Sequence, residues 1–175
     1  HHGEHIDDFH PYESYVNSYA ARKELGGGVI LTQIHELDYL FFLFNGFKIN
    51  VKKTYPSKIS NLKINVEDNV TANLELVKKN YKIKCLLHLN YYERPKKRSI
   101  LLIGEKGKIE CDLNNGKIII FKNNKTKSIL LKFDRNQIFI NQIKYFINWI
   151  KKNKKIKKKY NLLNGIKSLK LALKL

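Results

Sequence analysis

The chain has 175 residues, 43% of them hydrophobic and 28% charged, with a formal net charge of +19. Length and apolar content suit a single domain with one sizeable core. The positive excess is almost all Lys spread along the chain, with Arg only at Arg22, Arg94, Arg98 and Arg135. A nucleic-acid surface concentrates its charge and uses Arg forks, so a specific nucleic-acid partner is not expected.

In chain order, His1 and His2 read as remnants of a purification tag and stay outside the site argument. No leader is expected before the first polar residues. Residues 1–17 are rich in aromatics and acids without a sustained period, and read as an extended crossing segment. Residues 18–44 read as a helical region with a break at Gly26-Gly27-Gly28 and a stop at Asn45-Gly46, where glycine suits a left-handed cap. The apolar stretch from Gly28 to Phe44 is interrupted by Gln33, His35, Glu36 and Asp38, which argues against a membrane span. Cys85 and Cys111 have no metal-ligand spacing and read as free thiols in a reducing cytosol, so a cytoplasmic location is expected.

Residues 47–133 carry the sheet. Alternating β-branched and aromatic residues mark strands over Lys48–Lys58, Asn69–Lys78, Tyr81–Tyr92, Arg98–Ile103, Lys108–Leu113, Lys117–Lys122 and Lys127–Phe133. The separators, such as Lys79-Asn80, Asn114-Asn115-Gly116 and Asn123-Asn124, are short turns, and short turns imply antiparallel neighbours. Residues 135–175 read as two helices, Asn136 to Lys152 and Asn161 to Leu175, the first with a core-facing stripe of Ile140, Ile143, Ile147 and Ile150. The Lys-rich run from Lys151 to Lys159 between them reads as a solvated helix end and loop. The expected fold is therefore α+β, an open, mainly antiparallel sheet of about six to eight strands with helices packed on one face, forming one domain over residues 1–175.

The chemistry concentrates between Glu24 and Asp38. Glycines opening a helix admit a close neighbour, and first-turn amides leave partial positive charge facing it. His35 and Asp38 are three residues apart on one helix face, so the carboxylate can hold the imidazole in one tautomer. Glu67 and Asp68 fail as a catalytic carboxylate pair, because neighbours on a strand point to opposite faces. His88 has no partners at metal-ligand spacing, and no metal site is expected. No strand followed by Gly-x-Gly-x-x-Gly occurs, so the phosphate cradle of a dinucleotide fold is missing.

The run Glu24-Leu25-Gly26-Gly27-Gly28-Val29-Ile30-Leu31-Thr32-Gln33-Ile34-His35-Glu36-Leu37-Asp38 with its sequel to Gly46 resembles the signature opening the C-terminal domain of the Gfo/Idh/MocA oxidoreductases. Gly3 to Pro11, Ser18 to Glu24, Val66 to Val70 and Ile103 to Glu110 are similar to further segments of that family. The resemblance implies a substrate-binding and oligomerisation domain of an NAD(P)-dependent dehydrogenase acting on a sugar or nucleotide-sugar hydroxyl. It implies that His35 handles the hydroxyl proton, oriented by Asp38, and that Thr32, Gln33, Tyr19, Arg22, Tyr15 and His10 bind substrate. Gly26, Gly27 and Gly28 would lie near a cofactor, NAD or NADP, held mainly by an N-terminal domain. These residues alone would then bind none and be inactive. A homodimer or larger homo-oligomer would form through the exposed sheet face. Many family members carry Asp where this chain has Thr32, which departs from the acid–base pattern. The alternative is a non-catalytic basic binding or scaffold module with a degenerate site.

Overall fold

The computed structural model describes residues 1–132, 134–152 and 162–175. The elements are β1 (His2–Gly3), α1 (Val29–Thr32), α2 (His35–Leu43), β2 (Lys48–Ser57), β3 (Asn69–Lys78), β4 (Tyr81–Asn90), β5 (Lys97–Gly104), β6 (Gly107–Asp112), β7 (Lys117–Lys122), β8 (Lys125–Leu130), α3 (Arg135–Lys151) and α4 (Leu162–Ala172). Every strand pairing is antiparallel except that of β1 with β4. The fold is α+β, as expected. The end of the last expected strand at Phe133, the Lys-rich run from Asn153 to Lys159 and the helix start at Asn161 lie outside the described residues.

The chain divides into two compact units, His1–Arg98 with Leu163–Leu175, and Ser99–Leu162. The boundary falls inside a strand, where no linker composition marks it.

In the first unit, β2, β3 and β4 form an antiparallel meander, and Lys79 takes φ 51° in the β3–β4 turn. Alternation places Val70, Ala72, Leu74 and Leu76 of β3 beside Leu87 and Leu89 of β4 on one buried face. Val29 and Ile30 of α1, Leu37 of α2 and Leu171 and Ala172 of α4 cover that face. The opposite face carries Lys53, Tyr55, Thr71, Asn73, Glu75, Lys84 and Leu86, polar except for the exposed Tyr55 and Leu86.

His2 and Gly3 correct the tag reading. They form β1, parallel to β4 at Leu89 and Asn90 and antiparallel to β5 at Arg98 and Lys97. A two-residue strand has no periodicity to read, so only its neighbours reveal it. The segment that follows is not extended either. Glu4 N–H donates to Asn90 O at 3.2 Å and Ile6 N–H to Tyr91 O at 2.9 Å, after which the chain coils through four 3-10 turns between Ile6 and Leu25. Ser18 Oγ caps one of these turns by accepting from Ala20 N–H. The helical region is interrupted twice, at the glycines and again at Gln33-Ile34, and ends before Gly46, whose φ is 83°.

In the second unit, Ser99–Gly104 of β5, then β6, β7 and β8, form an antiparallel meander. Asn123 and Asn124, at φ 50° and 58°, make the β7–β8 turn. The register gathers Ile100, Leu102, Ile109, Cys111, Ile118, Ile120 and Ile129 on one face, all half-buried. α3 departs from its core reading, for Ile143 is 59% and Phe146 58% exposed, and Ile140, Ile147 and Ile150 are exposed too. An amphipathic stripe states that a face needs cover; it does not say that this chain provides it.

The glycines at the start of α1 give a stability contrast. At Gly28, with φ 108°, an added Cβ would collide with the Glu67 carboxylate, whereas at Gly26, with φ 75°, it would meet nothing. Gly26→Ala is expected to cost about 1 kcal/mol from backbone conformation alone, and Gly28→Ala about 2–3 kcal/mol because its φ is less accessible to a side chain and the half-buried Glu67 contact is also displaced. Urea unfolding of both variants checks this, and equal losses would show that Glu67 is not what requires glycine at position 28.

Candidate functional site

The helix start that the sequence offers to a ligand is occupied by the chain itself. Val29 N–H donates to Glu67 O and Ile30 N–H to Glu67 Oε1, both at 3.2 Å, so one residue takes two first-turn amides. Gly27 N–H donates to Arg22 O at 2.9 Å and Gly28 N–H to Ala20 O at 3.0 Å, and a Cβ on Gly27 would strike the carbonyls of Tyr19, Ala20 and Arg22. These glycines admit a close approach, but the approaching groups are the 19–22 turn and Glu67. They form no phosphate cradle. Glu67 and Asp68 precede β3 and so do not alternate on a strand as expected, yet they do separate work: buried Asp68 accepts from Ile59 N–H, Ser60 N–H and the Ser60 hydroxyl.

The expected site residues separate into inward and outward groups. Thr32 Oγ1 is buried beside the Tyr91 hydroxyl, which donates to Ala20 O at 3.4 Å. Burial drives the Tyr91 hydroxyl pKa well above its ordinary value. Gln33 is 2% exposed, and its Nε2 donates to Asn90 O at 3.2 Å. The break between α1 and α2 turns Gln33 toward β4, so neither it nor the Thr32 hydroxyl opens to solvent. His35, Tyr19 and His10 are exposed. Arg22 is half-buried, with Nε donating to Val16 O at 3.3 Å and an NH2 group to Asn17 Oδ1 at 3.1 Å, while the Tyr15 hydroxyl accepts from Lys63 N–H at 3.3 Å. Asp38 does not hold the His35 ring: it accepts from Ser168 Oγ of α4 at 3.0 Å. α2 begins at His35, and packing of α4 claims the carboxylate one turn later.

Behind His35 lies a polar cluster absent from the sequence-based site. Glu36 is 6% exposed; its Oε1 accepts from Arg98 Nε at 2.8 Å, pairs with an Arg98 NH2 group at 2.6 Å and lies 3.2 Å from His2 Nδ1. Arg98 also donates to the Tyr39 hydroxyl at 3.0 Å and stacks over its ring at 5.2 Å. His2 Nε2 is 3.6 Å from Glu4 Oε2. The signal for this cluster was a carboxylate inside an apolar helix and one of few arginines at a strand start; the strand register that joins them was not legible. His88, on the opposite sheet face, pairs with Thr71 Oγ1 at 2.9 Å and stacks on His1. Among the described residues no group of three metal-binding side chains occurs, and no helix is long and apolar enough to cross a membrane.

A family model described as the oxidoreductase family, C-terminal alpha/beta domain, matches residues 2–157. The chain belongs to this family, Gfo/Idh/MocA. A comparison with curated protein sequences finds no match. Solved structures share the fold. The UDP-N-acetylglucosamine 3-dehydrogenase GnnA of Acidithiobacillus ferrooxidans aligns over 99% of this chain and 50% of its own, at 17% identity and TM-score 0.71. Biliverdin reductase of Synechocystis sp. PCC 6803, solved with biliverdin and NADP+, aligns over 89% and 48%, at 12% identity and TM-score 0.62. An inositol dehydrogenase homolog of Azotobacter vinelandii, solved with NAD+, aligns over 77% and 36%, at 11% identity and TM-score 0.60. The chain thus spans half or less of the length of these structures.

The buried charges set a stability window. Burial opposes a proton on His2, but Glu36 and Glu4 outweigh it and raise the pKa above the ordinary 6.5. Burial likewise opposes charge on Glu36, but His2 and Arg98 hold the pKa below the ordinary 4.5. The His2 contribution is complete below 6.5 and is lost as pH rises through the folded value; the Glu36 contribution is complete above 4.5 and is lost as pH falls through its folded value. Through these two groups thermal midpoints should fall as pH rises above 6.5 and as it falls below 4.5, and Glu36→Gln should flatten both of these slopes relative to the parent chain. An unchanged profile in that variant would remove Glu36 from the network.

Proposed function

We propose that residues 1–175 are the substrate half of an NAD(P)-dependent dehydrogenase that oxidises a hydroxyl of a sugar or nucleotide-sugar, with His35 exchanging the hydroxyl proton. Family membership supports the reaction class, and the solved relatives named for UDP-N-acetylglucosamine and inositol dehydrogenation support a polyhydroxylated substrate. The observation that carries the reading is the placement of His35. Its ring is exposed and makes no hydrogen bond among the described residues, while its neighbours Gln33 and Glu36 are buried and anchored. A neutral imidazole so presented accepts a proton from an approaching hydroxyl, which is general-base work.

Tyr19 and His10, both exposed, and Arg22 offer a hydroxyl, an imidazole and a guanidinium to sugar or diphosphate oxygens. Thr32 and Gln33 support the site from within, because their polar atoms face the interior. The glycine region is filled by the chain's own carbonyls and Glu67, so it does not fit a dinucleotide phosphate, and NAD or NADP would be held by residues outside this chain. A homo-oligomer would use exposed sheet positions such as Tyr55 and Leu86 of the first unit.

In the protein expressed from its complete reading frame, His35→Ala is expected to lower kcat/KM by about 100-fold or more with NAD+ or NADP+ and UDP-N-acetylglucosamine or inositol as probes. Residues 1–175 alone are expected to bind neither cofactor in calorimetry. Unchanged turnover in a folded His35→Ala protein, or no turnover in the complete protein across a sugar and nucleotide-sugar panel, would overturn the reading.

A further inference from the structure

We infer that Glu36, gripped by Arg98 and His2, is the positioning residue that aims His35; this rests on the proposed role of His35. α2 starts at His35 without a side-chain cap hydrogen bond, after a two-residue break from α1, so local chain geometry leaves the helix start loosely specified. Two buried anchors flank the imidazole. Gln33 ties the break to β4 through Asn90 O, and Glu36 ties the first turn to β5 and β1. Adjacent residues on a helix are separated by about 100° of rotation, so fixing the direction of Glu36 fixes that of His35.

The grip resists rotation because it holds two points one turn apart. The Arg98 guanidinium meets Glu36 through Nε and an NH2 group, and donates to the hydroxyl of Tyr39, three residues along α2. It is itself fixed by strand pairing, for Arg98 stands opposite His2 in the β1–β5 register, and both side chains reach the same carboxylate oxygen. A point-charge Lys could neutralise Glu36 but could not reproduce this planar fork. Buried ion pairs contribute weakly to net stability and are best attested as devices that select one arrangement. Here the arrangement selected is the rotational setting of the helix that presents His35.

Two measurements test this on the existing chain and on the complete protein. With labelled histidine in residues 1–175, the imidazole Cε1–Hε1 resonance of His35 is expected to be a single sharp peak. It should broaden or split in Glu36→Gln and in Arg98→Lys, while that of exposed His10 stays unchanged. In the complete protein, Glu36→Gln is expected to reduce kcat about tenfold with little change in KM, and to cost nothing further in a His35→Ala background. Equal losses in both backgrounds, with an unaltered His35 resonance, would overturn the positioning role. A His35→Ala protein of full activity would instead overturn the reading on which it rests. Tyr39→Phe removes only the hydroxyl contact, and serves if Glu36→Gln does not fold: it should perturb the His35 resonance and reduce kcat a few-fold, again only when His35 is present. No effect on either readout would count against the inference.

Discussion

A carboxylate taken out of water must be paired or hydrogen-bonded, and in the first unit Glu36 is the buried carboxylate that meets the demand with cationic side chains. Its partners come from β1 and β5, far from it in sequence. Meeting the demand requires β1 to lie between β4 and β5, which puts His2 opposite Arg98. It also requires α2 to bring Tyr39 inside reach of the same guanidinium. The hydrophobic core beneath the helices provides most of the driving force, yet apolar contacts alone would tolerate small rotations of α2. The charged cluster is directional where the core is not.

The same logic of satisfying one's own polar groups governs the glycine segment. The first amides of a helix ask for an acceptor, and Glu67 provides both a backbone carbonyl and a carboxylate oxygen. Gly27 and Gly28 are then needed because the 19–22 turn and Glu67 come so close that side chains would not fit, while Gly26 serves through its left-handed φ of 75°. The segment that looks most like a ligand cradle is thus a packing joint. Of the expected site residues, His35, Tyr19 and His10 stay exposed.

The two units divide the labour of burial unequally. Among the described residues every member of the buried apolar cluster belongs to the first unit, whereas the second carries its apolar residues half-buried or exposed, on its strands as on α3. Apolar surface of that kind marks faces built to meet another surface.

Strands, hairpin turns and the α+β class were legible in the sequence, because period-two alternation and Asn or Gly turn chemistry are local properties of the backbone. The expected strands over Asn69–Lys78 and Lys117–Lys122 match β3 and β7 end to end. The family signature and the candidate role of His35 were legible for the same reason, as a contiguous run of residues. Only the tertiary structure decided which polar side chains meet. It turned Thr32 and Gln33 inward, gave Asp38 to Ser168 in place of His35, and made a two-residue strand of His2 and Gly3. Those outcomes depend on strand register and helix packing between segments as many as 130 residues apart. No pattern within a segment carries that information, because the side chain that satisfies a buried polar group is chosen by the fold that brings it there.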